Sequence, residues 1–175
     1  LKEEYKPEPY GDDQDYFDRE IDGNFNIALA KRQPGSSFKP FVYAAAFDKG
    51  YTPDTVVFDV KTEFSTFCDE NGNLLSENGE CYSPENYDHI YRGPVSLRNA
   101  LAQSINVPAV KVLYLVGIEN AIGVARSLGI NTLTNKDQYG LTLVLGGGEV
   151  SLLDMTSAYG VFANNGVRLP PTPIV

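Results

Sequence analysis

The chain has 175 residues, 42% hydrophobic and 11% aromatic, which suits one domain with a buried core and excludes a disordered tail. Its 14 basic and 23 acidic residues leave a formal charge of −9 with no basic run, so a phosphate backbone would be repelled and nucleic acid is not an expected partner. No apolar run approaches the roughly 20 residues of a spanning helix, and no charged-then-apolar leader stands at the N-terminus; the segment is expected to be soluble and without membrane contact of its own, an anchor elsewhere in a longer protein being compatible with this.

Residues 1–22 are charged, proline-rich and aperiodic, and read as an extended arm or linker ahead of a domain over 23–175. Within and after it, Asp18, Glu20, Asp22 and Gly23 faintly resemble a calcium loop, but Leu29 stands where the twelfth-position glutamate belongs, so an ordinary loop is the better reading. From Ser36 the pattern turns helical. Phe38, Val42 and the alanines at 44–46 share one face, Pro40 falls in the first turns, and Gly50 makes a stop.

Residues 51–95 form a long, mostly irregular excursion with short strands expected near 56–60. Inside it Cys68 and Cys81 bracket CDENGNLLSENGEC, whose Asn-Gly pairs favour tight turns. A disulfide, which needs an oxidising compartment, and two free thiols both remain open; two cysteines without further ligands do not complete a metal site. Tyr82, Tyr87 and Tyr91 read as packing residues with a polar tip, or as a surface for a partner.

Ser96 caps a helix reading LRNALAQ, Pro108 opens another reading AVKVLYLV up to Gly117, and IENAIGVARSLG makes a third that ends at Gly129. Three helices in succession imply a helical lobe. The glycines at 146–148 lack the Gly-Lys-Ser/Thr of a phosphate cradle and read as a turn where backbones approach closely. Beyond them, Ser151 with Asp154 resembles a capping box for a helix LLDMTSAYGVFANN running to Gly166. No solenoid period is visible.

The stretch RQPGSSFKPF carries the chemistry. Residues three apart on a helix share a face, with Cβ atoms about 5–6 Å apart, so Lys39 can take a proton from Ser36, whereas Ser37 has Pro40 at the corresponding place. A serine hydroxyl is a feeble nucleophile until a base removes its proton, and a lysine serves only if burial or neighbouring charge lowers its pKa. A helix N-terminus at Ser36 would add amides suited to an oxyanion. Alone, Ser-x-x-Lys also fits a capped helix with a surface lysine. A second element, Ser104-Ile105-Asn106 at the junction of two predicted helices, can aim a hydroxyl and an amide at the same place.

The ordered blocks FNIALAKRQPGSSFKPFVYAAAFDKGYTP, ENYDHIYRGPVSLRNALAQSINVPAVKVLYLVGIENA and LVLGGGEVSLLDMTSAYGVFANNGVRLPPTPI together resemble the transpeptidase domain of bifunctional, high-molecular-weight penicillin-binding proteins. The resemblance implies an α+β fold of which this chain is mostly the helical lobe, with much of the sheet lobe missing. It implies that Ser36 is acylated by the penultimate D-alanine carbonyl of a peptidoglycan stem peptide, or by a β-lactam that imitates it. A second stem's amine then resolves the acyl-enzyme. By the same resemblance Lys39 accepts the Ser36 proton, Ser104 relays it to the leaving group, and Asn106 orients substrate and helps hold Lys39. No cofactor is implied. The parent protein would be membrane-anchored and act on the extracytoplasmic face of a bacterial cell membrane.

One departure is serious. The family's third motif, Lys-Thr/Ser-Gly on a sheet strand, follows the helical lobe in chain order, and nothing after Asn106 fits it. Lys61-Thr62-Glu63 precedes Ser104 and has glutamate for glycine, so it reads as a decoy. Activity of this segment alone is therefore open, and a complementary chain or self-association is expected over the missing sheet lobe. Two alternatives stand: a non-catalytic β-lactam-sensing or interaction module of the same fold, and a serine β-lactamase-like hydrolase. Against the hydrolase, Glu149 comes nearest to a Glu-x-x-Leu-Asn base but has Leu153 in place of asparagine. His89, the single histidine, reads as a loop or packing residue, and no Gly-x-Ser-x-Gly elbow is present.

Overall fold

The computed structural model describes residues 25–172. The arm expected over 1–22, and with it Asp18, Glu20, Asp22 and Gly23, lies outside the described residues. Helix α1 (Lys39–Asp48) is the core element: Phe41, Val42, Tyr43, Ala45 and Ala46 are all buried on it. It packs against α3 (Asn106–Val116) and α4 (Ile118–Ser127). Apolar residues on every side of α1 are what a helix enclosed by its neighbours requires.

The α-helix begins at Lys39, three residues later than the sequence pattern suggests; Gly35–Phe38 form a 3₁₀ turn instead. Pro40 explains the shift. An α-helix starting at Ser36 would need the residue-40 N–H to reach the Ser36 carbonyl, and proline has none. That carbonyl is taken by the Lys39 N–H in a tighter i→i+3 bond. Ser36 therefore sits in a turn that leads into α1, with Gly35 at φ 58 opening it.

Helix α2 (Leu97–Ala102) is capped by Ser96, whose Oγ accepts from the Asn99 N–H. α3 starts two residues ahead of Pro108, which occupies a first-turn position where no N–H is missed. α4 stops short of Gly129 (φ 117). α5 (Leu152–Ala163) is capped by Ser151 Oγ accepting from the Asp154 N–H at 3.0 Å, and it ends at Ala163, with a turn carrying the chain to Gly166. Its Leu152, Leu153, Tyr159 and Phe162 are exposed.

Sheet is scant among the described residues. β1 (Lys31–Arg32) pairs antiparallel with β4 (Val150–Ser151), and β2 (Val56–Asp59) with β3 (Gly93–Ser96). β2 falls where strand was expected. β3, short and carrying Gly and Pro, gives no alternating pattern to read. The result is a mostly helical α+β fold.

Between β2 and β3 the chain is irregular, and the open question about its cysteines is answered there: Cys68 and Cys81 form a disulfide. Closing a loop of this length removes denatured-state entropy worth about 3 kcal/mol. Lys61-Thr62-Glu63 is irregular backbone rather than a strand, with Glu63 Oε1 accepting from the N–H groups of Ser65 (2.8 Å) and Tyr82 (2.6 Å).

Candidate active site

The start of α1 meets the start of α3. Lys39, 1% exposed, extends its Nζ to Asn106 Oδ1 at 2.8 Å, to the Ser104 carbonyl at 2.6 Å and to Ser104 Oγ at 3.1 Å. All three acceptors belong to Ser104 and Asn106, so the structure brings Lys39, Ser104 and Asn106 into one cluster. Ser36 lies one turn before Lys39, exposed to solvent, and its hydroxyl is not among the bonded partners of Nζ. Ser37 Oγ donates to the Pro34 carbonyl at 2.5 Å, which occupies it in the turn.

Burial disfavours the Lys39 ammonium and lowers its pKa from 10.5 to about 8. The neutral amine, present in a substantial fraction near pH 8, is the form that can accept a proton. The Lys39 side chain also points at the N-terminus of α3, where the helix dipole is positive and opposes a second positive charge.

Ser104 holds φ 55, the left-handed region that costs a non-glycine residue about 1–2 kcal/mol. In that conformation its carbonyl and its hydroxyl both face Lys39. Its own N–H donates to Leu101, and the next N–H, of Ile105, to Ala100, so the end of α2 fixes the bend.

Two contacts escaped sequence reasoning. The first is Gly146 (φ 96): a Cβ there would stand 2.3 Å from the Gly35 backbone N and 2.4 Å from its Cα. The close approach expected at 146–148 is thus made against the turn that carries Ser36. The second is Asn86, 3% exposed, whose Oδ1 accepts from the N–H groups of Asn106 (3.1 Å) and Val107 (3.0 Å). Its Nδ2 donates to Asp59 Oδ1 and to the Ile90 carbonyl, both at 2.8 Å. The only signal was a polar residue in a loop twenty positions before Asn106, which no spacing rule connects to it. Glu149 and His89 are exposed and take no part in the cluster; His89 pairs instead with Glu85 at 2.8 Å. Among the described residues no group of three or more His, Cys, Asp or Glu could hold a metal.

The family model described as the penicillin binding protein transpeptidase domain matches residues 3–174. Penicillin-binding protein 1A of Neisseria meningitidis is 38% identical over 146 residues, covering 83% of this chain and 17% of that protein. The crystal structure of penicillin-binding protein 1A from Haemophilus influenzae has a TM-score of 0.67 at 32% identity, over 82% of this chain and 20% of that one. The PonA1 protein from Mycobacterium tuberculosis in complex with penicillin V shares the fold, with a TM-score of 0.67 at 23% identity over 84% of this chain and 39% of that one. The chain thus spans about a fifth or less of the first two relatives' length.

Proposed function

Since this chain belongs to the penicillin-binding protein transpeptidase domain family, we propose that it is the nucleophile-bearing part of a serine D,D-transpeptidase within a larger bacterial protein. The observation that carries the reading is Lys39: a buried amine with a lowered pKa, held by Ser104 and Asn106 one turn from an exposed serine.

In this reading the Ser36 proton passes to the neutral Lys39 amine while Ser36 Oγ attacks the penultimate D-alanine carbonyl of a peptidoglycan stem peptide. The tetrahedral oxyanion collapses to an ester, and the C–N bond to the terminal D-alanine breaks. The Ser104 hydroxyl, 3.1 Å from Lys39 Nζ, carries the proton to that leaving amine. An amine from a second stem then attacks the ester and restores Ser36. A β-lactam acylates the same hydroxyl by ring opening and leaves no free amine to depart.

The Cys68–Cys81 bridge supports an oxidising, extracytoplasmic setting. No single helix among the described residues is long and apolar enough to cross a membrane. The exposed Leu152, Tyr159 and Phe162, which share one side of α5, provide a face for the sheet lobe of the larger protein.

The test is intact mass of the full-length protein after incubation with benzylpenicillin. One drug mass is expected, mapped to the peptide carrying Ser36 and lost in Ser36→Ala. No adduct on the wild type, or an adduct that survives Ser36→Ala, overturns the proposal.

A further inference from the structure

Helix α3 lacks a cap of its own. Ile105 holds the N-cap position with an apolar side chain, and the first amides of the helix would go unpaired. Asn86 supplies the cap from a distant loop, one carbonyl oxygen serving two N–H groups. All four hydrogen-bonding positions of its amide are used: two accepted, two donated. The flanking residues Glu85 and Tyr87 are exposed, so the chain turns this one side chain inward.

The same loop grips Asn106 a second time. Asn106 Nδ2 donates to the Glu85 carbonyl at 3.0 Å, which leaves Oδ1 as the atom that faces Lys39. With the amide reversed, an NH₂ group would confront an ammonium. The orientation that suits Lys39 therefore depends on where the 85–86 backbone lies.

What holds the Asn86 side chain in this loop is Asp59, at the end of β2 and 0% exposed. Its Oδ1 accepts from Asn86 Nδ2, and its Oδ2 accepts from the Arg92 N–H at 3.0 Å with the Arg92 guanidinium 3.7 Å away. A carboxylate is costly to bury unless every oxygen is paired. Here both are paired, and the pairing points toward the site. The bonds run from Arg92 through Asp59 and Asn86 to Asn106, and end on the Lys39 amine.

We propose that Asn86, fixed by Asp59, is a positioning residue for the acyl-transfer reaction: it caps α3 and sets the Asn106 amide in the orientation that holds Lys39. The inference rests on the transpeptidase reading above and assigns a role to two residues outside its catalytic set.

The test is stopped-flow acylation of the full-length protein by a fluorescent penicillin, resolving the acylation rate constant, the preceding binding constant and the burst amplitude. Asn86→Ala is expected to slow the acylation step about 100-fold, as for a displacement of about an ångström, with full amplitude and unchanged binding. Asp59→Asn, which keeps the shape and one acceptor, is expected to slow it about 10-fold. An Asn86→Ala protein whose acylation constant stays within twofold of wild type, with only its melting temperature lowered, makes Asn86 a stability residue and overturns the inference while the transpeptidase reading stands. A wild type that is not acylated overturns both. Should Asn86→Ala fail to fold, Asn86→Ser, whose shorter side chain cannot bond both α3 amides and Asp59 at once, is judged by the same two limits.

Discussion

The two ends of the α1–α3 pair are built from the same parts and behave differently. The helices run side by side in the same direction, and each end is clamped by a lysine, the first residue of α1 and the one that follows its last: Lys39 Nζ to the Ser104 carbonyl and Lys49 Nζ to the Val116 carbonyl, both at 2.6 Å. Lys49 is exposed and meets the carbonyl of Val116, the last residue of α3, where a cation complements the dipole. Lys39 is buried and meets the N-terminus, where a cation is opposed. The chain also turns left-handed at both ends. Gly117 does so after α3 at φ 86, and Ser104 before it at φ 55, where a side chain adds strain. One end obeys the local rules of helix termination. The other breaks two of them, and the departures fall together where the proposed chemistry lies, as strain and buried charge tend to do at functional sites.

The strongest way to break this contrast is to remove each lysine. Lys39→Met is expected to lower the acylation rate of the full-length protein about 1,000-fold, with thermal stability at pH 7 unchanged or raised, because the penalised ammonium is gone. Burial depresses the folded-state pKa to about 8 from 10.5. Between these values the unfolded chain binds the extra proton, so wild-type stability rises with pH there. The advantage of Lys39→Met in melting temperature is therefore expected to be largest below pH 8, to shrink from 8 to 10.5, and then to level off. A Lys39→Met protein that acylates normally would remove the distinction between the ends.

Ser104→Gly comes next. It removes both the relay hydroxyl and the side-chain strain, so acylation is expected to fall about 100-fold while stability rises by about 0.5 kcal/mol, the strain relieved less the entropy of the glycine. Ser104→Ala is expected to lose as much rate and gain no stability. Thermal melts beside acylation kinetics separate the two variants.

The smallest effects on rate are expected at the other end. Lys49→Met should leave acylation within about twofold and lower stability by about 1 kcal/mol. Gly117→Ala should likewise spare acylation but cost about 1–3 kcal/mol through its backbone. Denaturant titration of these variants checks both figures, and a large loss of acylation in either would show that the C-terminal end also sets the site.

How legible this was varies along the chain in a physically intelligible way. The helices after residue 95 were readable because local signals agree: Ser96 and Ser151 as caps, Gly117 and Gly129 as stops. The sequence pattern starts α1 at Ser36 rather than Lys39 because apolar spacing says nothing of the bond Pro40 withholds. Lys39, Ser104 and Asn106 were named from two short motifs, and the structure joins them. Asn86 and Asp59 were not named, since their bonds to the site span the irregular excursion and leave no periodic trace. The contact of Gly146 with Gly35 was half visible: a close approach could be expected there, but its partner could not.

The central claim is that burial brings the Lys39 amine's pKa down from the ordinary 10.5 to about 8, so that a fraction of it is neutral in the range where the protein works. NMR titration of that side chain in the ligand-free full-length protein, assigned by its loss in Lys39→Met, tests it most directly. A midpoint at about 8 is the expected result. A midpoint at the ordinary lysine value of 10.5, with Nζ fully charged throughout the neutral range, would contradict it.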